Sequence, residues 1–233
     1  GNEKKLNFDI KRFKKYEKKI RYIVIEDLPK VVTKFKKNWH TAHVRDQFQR
    51  NSLVRGLSDC DPDDLIMISD LDEIPNPEKI SDFKKEDKYV CFAQDNFLLK
   101  FNLLNTTEPK WYGTRMCRKK DLKSPQWLRE IKAKKIPFYK FYKPKFDKFI
   151  QDGGWHFSSV NNVEGIYKKL NCYSEQQWNN DKFKNKEIIR RKIEQKKDLF
   201  DRKYTYKVLN VDKTFPKYIY ENKEKLKELL YEK

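Results

Sequence analysis

Residues 65 to 75 read Leu-Ile-Met-Ile-Ser-Asp-Leu-Asp-Glu-Ile-Pro: an apolar run that ends in three carboxylates, Asp70, Asp72 and Glu73. The run has the length and composition of a buried strand, and the carboxyl ends of strands are where open α/β sheets bind ligands. On an extended backbone Asp-x-Asp puts two acids on one side, near enough to share one divalent ion. Acids that close repel each other, and a cation relieves the repulsion. The competing reading makes Asp72 the cap of a helix beginning near Pro75 or Pro77.

The chain carries 54 Lys and Arg against 35 Asp and Glu, a net charge of +19, yet residues 55 to 87 hold eleven acids and four bases. This acidic island therefore stands out from its surroundings. Asp59, Asp61, Asp63 and Asp64 precede the strand and read as a solvated turn, for which Asp and Pro are favoured. The lysines spread along the whole chain with no nucleic-acid-binding signature, so a dedicated nucleic-acid role is not indicated. No apolar stretch approaches the ~18 residues of a membrane span. Cys60, Cys91, Cys117 and Cys172 have no paired short spacing and read as thiols, not as a zinc site. Asn105-Thr106-Thr107 fits a glycosylation acceptor, a tripeptide common by chance.

Around the acids the chain alternates helix and strand signals. A basic helix is expected over Phe8 to Lys19, then a buried parallel strand at Arg21-Tyr-Ile-Val-Ile25. A helix over Thr41 to Arg55 stops at Gly56 and leads through the turn into the strand at 65 to 69. Strand, helix and strand in this order predict a right-handed crossover in a parallel sheet. Tyr89 to Ala93 and Asn96 to Asn102 read as two further strands, and Asn162 to Leu170 as a capped helix. At 233 residues the chain fits a single domain, with 181–233 as a helical, charged appendage.

Several segments taken in order resemble glycosyltransferase family 17: Arg45-Asp-Gln-Phe-Gln-Arg50-Asn51, Ser69-Asp-Leu-Asp-Glu-Ile-Pro75, Trp111-Tyr-Gly-Thr-Arg115, Gly153-Gly-Trp-His-Phe-Ser158 and Glu164-Gly-Ile-Tyr-Lys-Lys-Leu170. The resemblance implies a GT-A-like fold, a mostly parallel Rossmann-like sheet flanked by helices. It further implies a UDP-GlcNAc-type donor, a glycan acceptor, a divalent metal (Mn²⁺ or Mg²⁺) and inversion at the anomeric carbon. On these expectations Asp70, Asp72 and His156 hold the metal, and Arg45, Gln49, Arg50, Asn51, Asp70 and Arg115 meet the donor. Glu164, Asp152 and Glu73 are the candidates for the base that deprotonates the acceptor hydroxyl. Trp111, Tyr112, Trp155 and Trp178 are candidate sugar-stacking residues, with the core as their alternative.

Two departures accompany the resemblance. Where relatives often show Ser-His-x-Glu, this chain reads Tyr173-Ser-Glu-Gln-Gln177, and Gly1 to Phe8 matches a point already inside the family domain, so a longer parent chain with one more strand is expected. The thiols and the lack of a leader point to a cytoplasmic location, or to the Golgi lumen if a preceding anchor exists. Two other classes remain open on residues alone: a metal-dependent phosphohydrolase or nuclease, and a noncatalytic basic binding module.

Overall fold

A computed structural model describes residues 8–29, 38–133, 143–171 and 183–231. Its centre is β3 (Tyr89–Leu98), ten residues of which nine are buried. That burial explains why the strand reads as a continuous run without alternation. The sequence suggested two strands here; one long strand forms, with a register shift between Cys91 and Ala93 where it pairs with β5 (Lys110–Arg118).

The sheet of eight strands among the described residues is mostly antiparallel, which corrects the expected parallel arrangement. β1 (Leu65–Ile68) pairs antiparallel with β5, and β5 with β3. β4 (Leu103–Asn105) joins β3 to β8 (Tyr206–Val208), again antiparallel. Among the described residues parallel pairing occurs only where β6 (Lys148–Ile150) and β7 (Gly154–Ser158) run along successive halves of β3. β2 (Glu73–Pro75) completes the set against β7. Apolar runs report burial but not strand direction, so the antiparallel pairing is not written in them.

The expected strand at residues 21–25 does not form. Among the described residues the segment has no ladder partner; it carries exposed side chains and is tied down through Arg21, whose guanidinium grips Asp59 at 2.6 Å. The predicted crossover therefore has no first strand. Residues 10–19 form a 3-10 helix, and α1 (Asn38–Asn51) continues into a 3-10 turn over Ser52–Leu57. Beyond these lie α2 (Pro125–Glu130), α3 (Val163–Asn171), α4 (Lys186–Glu194) and the short α5 (Lys217–Glu221). The C-terminal segment is not purely helical, since it supplies β8 to the sheet. Ile189, Ile193 and Leu199 pack with Leu98, Leu103 and Ile166 in one apolar cluster.

Burial pushes the thiols of Cys91 and Cys117 up to about 12, which rules them out as nucleophiles near neutrality. Asn105 is fully buried, so its glycosylation tripeptide is closed off; its side-chain oxygen instead receives the Thr107 and Glu108 amides. Cys172, Tyr173–Gln177 and Trp178 lie outside the described residues. No helix among the described residues is long and apolar enough to cross a membrane.

Candidate functional site

Asp70 to Glu73 close a β-turn between β1 and β2: the Glu73 amide donates to the Asp70 carbonyl at 3.0 Å, and the Asp70 amide to Glu73 Oε2 at 3.0 Å. Leu71 is fully exposed at its tip. The acids thus do not sit on one side of an extended strand, and the turn sends them to different partners.

Glu73 turns inward. Its side chain is 1 % exposed and both its oxygens meet Arg129, Nη1 to Oε2 at 2.8 Å and Nη2 to Oε1 at 2.9 Å. The Trp111 indole donates to Oε1 at 2.8 Å. Such a carboxylate is buried because it is paired, and it has no room left for a substrate proton. Asp70 shares the same guanidinium, Oδ2 to Nη2 at 2.6 Å, and takes Arg50 on its other oxygen at 3.1 Å. No motif in the sequence marks Arg129. It stands 59 residues from Asp70 on a short helix whose signal was Ser124-Pro125, a capping serine ahead of an N1 proline.

Asp72 takes the opposite course. The cap of the 3-10 turn over Pro77–Asp82 is Asn76, which frees Asp72 from the capping role. Its carboxylate accepts no hydrogen bond among the described residues; Oδ2 lies 3.8 Å from His156 Nε2 and 4.0 Å from Lys169 Nζ. His156 sits across the β2–β7 ladder, paired with Glu73, and stacks on Trp111 with ring centroids 4.5 Å apart. Asn96 fixes its tautomer: the amide nitrogen donates to the Glu108 carbonyl, so Oδ1 faces His156 Nδ1 at 3.0 Å and receives its proton. Nε2 then carries a lone pair toward Asp72. Burial pushes the His156 pKa below its usual value, outweighing the raising effect of Asp72 and Glu73, so the ring is neutral near pH 7.

These groups line a cleft of about 460 Å³. Its lining includes Asp70, Asp72 and Glu73 of the turn with Trp111, Asn96 and Leu98 of β3, and His156 and Ser158 of β7. The rest of the lining is Asp198, Leu199, Phe200, Arg202 and Tyr204, with Glu108 and the half-exposed Lys169. Two residues of the lining, Leu99 and Ser159, have φ of 68° and 56°, an uncommon conformation for residues with side chains that clusters at functional sites.

Of the residues singled out in the sequence, the cleft brings together Asp70, Asp72, Glu73, His156 and Trp111. Arg50 reaches it through Asp70, and its other nitrogen bonds Gln126 of α2 at 2.6 Å. Asn51 receives the Gln126 amide, so both act as braces between α1 and α2. Arg45 and Gln49 are exposed on α1 and do not line the cleft. Arg115 is buried behind it, donating to the Gly113 carbonyl with its Nε unpartnered. Burial lowers its pKa, and nearby Arg129 adds to the effect. Glu164 lies outside, paired with Lys186 at 2.6 Å, and the Lys186 hydrogen bond holds its pKa below the usual range. Asp152 belongs to a second groove, of about 930 Å³, with Trp155 and Tyr220. The structure also brings in Asn96, Glu108 and Tyr204, which no motif marks, together with Asp198 and with Lys169 of the Glu164 to Leu170 segment.

Among the described residues no group of three or more His, Cys, Asp and Glu is arranged to hold a metal ion. The pair Asp72 and His156 comes nearest, as two acceptors facing each other across the cleft. Comparison with protein families matches residues 1–231 to glycosyltransferase family 17. No curated protein and no solved structure matches the chain.

Proposed function

The chain belongs to glycosyltransferase family 17, and from that membership we propose that the cleft transfers a sugar, of the GlcNAc type and carried on UDP, to a glycan hydroxyl with inversion and with the help of a divalent metal. The observation that carries the reading is the facing pair of Asp72 Oδ2 and His156 Nε2, 3.8 Å apart. Each is an electron-pair donor, and Nδ1 is occupied by Asn96, so the repulsion between them asks for a cation. Asp72 and His156 would hold it, with donor phosphate oxygens and water as the other ligands, the usual arrangement for ions that keep few protein ligands. A bound Mn²⁺ or Mg²⁺ supplies Lewis-acid stabilisation of the diphosphate leaving group.

The remaining residues orient and hold. Asn96 keeps the His156 lone pair toward the cleft, and Trp111, stacked on the imidazole and bonded to Glu73, stops the ring from turning. Lys169, 41 % exposed at the rim, offers an ammonium group to phosphate oxygens. Arg129 and Arg50 fix the turn that carries Asp72.

Calorimetric titration with UDP-GlcNAc, with and without Mn²⁺, tests the proposal. Binding that requires the metal and is lost in Asp72→Asn supports it. Metal-independent binding, or binding unaffected by that substitution, rejects the assignment of the metal to this cleft.

A further inference from the structure

Five carboxylates line the cleft, and inversion needs one of them to take a proton from the attacking hydroxyl. Asp70 and Glu73 are held by arginines. Asp198 has a side chain 1 % exposed; it accepts two hydrogen bonds from the Arg202 guanidinium, at 2.6 and 3.0 Å, one from Tyr206, and the amides of Phe200 and Arg202. Asp72 faces His156. Glu108 alone of the five is both exposed and lightly bonded: Oε2 accepts the Tyr204 hydroxyl at 2.7 Å, and Oε1 accepts nothing among the described residues.

Its position is fixed even though its carboxylate is open. Asn105 caps the Thr107 and Glu108 amides, Thr106 and Thr107 bond Thr205, and Asn96 donates to the Glu108 carbonyl. The same Asn96 orients His156, so one side chain ties the Glu108 corner to the Asp72 and His156 end of the cleft.

Building on the glycosyl-transfer reading above, we propose that Glu108 is the general base. As the acceptor oxygen bonds to the anomeric carbon, its proton passes to Glu108 Oε1. The bond from that carbon to the diphosphate oxygen breaks, and its electron pair leaves with the diphosphate. The protonated Glu108 returns its proton to water after product departs. Tyr204 holds the other carboxylate oxygen and sets which one faces the hydroxyl.

The test uses the whole chain with UDP-GlcNAc and Mn²⁺, following UDP release to water and donor binding by calorimetry. Glu108→Gln keeps an acceptor for the Tyr204 hydroxyl, so the corner stays folded. It should bind donor as the parent does while releasing UDP at least about 100-fold more slowly. Azide needs no base, so adding it to Glu108→Ala should restore UDP release and yield a β-glycosyl azide, whereas Asp72→Asn should gain nothing. Undiminished UDP release by Glu108→Gln, or no azide product from a donor-bound Glu108→Ala, would overturn the assignment. Failure of the parent chain to bind UDP-GlcNAc would instead remove the glycosyl-transfer reading, and the base with it.

Discussion

Arg129 grips both oxygens of Glu73, at 2.8 and 2.9 Å, in a site where the arginine side chain is 10 % exposed and the glutamate 1 %. The pair holds the acidic turn against α2, and the same guanidinium reaches Asp70 and the Gly113 carbonyl. Removing one partner leaves a buried charge with nothing opposite it, which costs far more than the pair contributes as a whole. Arg129→Met should lose about 3–5 kcal/mol of stability in urea denaturation. Arg129→Met combined with Glu73→Gln should recover part of that loss. Equal losses in the single and double variants would mean that packing, not the uncompensated carboxylate, sets the cost.

His156 makes stability depend on pH in one direction. Burial depresses its pKa in the folded chain, so the unfolded chain takes up a proton first as pH falls from its ordinary value of about 6.5. The contribution of neutral His156 is complete above that value, declines as pH drops toward the folded value and changes no further below it. The slope from this one proton cannot exceed about 1.4 kcal/mol per pH unit. Denaturation of the parent and His156→Gln between pH 7.5 and 5.5 should show a steeper fall for the parent. Parallel curves would place the acid sensitivity elsewhere.

Gly154 sits in the β2–β7 ladder opposite Pro75 with φ of 124°, where a Cβ would run into the Ile74 carbonyl. Both the backbone conformation and the close approach require glycine. The ladder also sets Glu73 opposite His156, so strain here reaches the cleft. Gly154→Ala should cost about 3 kcal/mol or more and reduce donor binding in parallel, measured by thermal unfolding and calorimetry. Near-parental stability would show that the ladder can shift to admit a methyl group.

The acidic strand end, the Gly-Gly-Trp-His segment and Trp111 were legible in the sequence because each is local and chemically unusual in a lysine-rich chain. Residues that meet only through the sheet were not. Arg129 looks like any surface arginine until α2 places it under the turn, and Glu108 like any loop glutamate until Tyr204 and Asn96 fix its corner. The segment at 21–25 shows the converse: an apolar, β-branched run looks like a core strand, but among the described residues no neighbouring strand pairs with it. Periodicity registers what a segment can bury, and the partner strand decides whether it does.

Asp70 and Asp72 are two residues apart and should behave oppositely when neutralised. Asp70 meets Arg129 at 2.6 Å and Arg50 at 3.1 Å, so Asp70→Asn takes charge away from a structural network. Asp72 has no comparable bond and presents its carboxylate to the cleft. A ligand that binds only the folded chain raises stability by about 2.7 kcal/mol at one hundred times its Kd. Melting curves taken with and without UDP and Mn²⁺ therefore separate the two roles. Asp70→Asn should melt earlier than the parent but still be stabilised by UDP with Mn²⁺. Asp72→Asn should melt near the parent temperature, and Mn²⁺ should add nothing to the effect of UDP. If Asp70→Asn loses the Mn²⁺-dependent stabilisation while Asp72→Asn keeps it, the metal is held by the arginine-bound acid, and Arg50 and Arg129 must move aside when it binds.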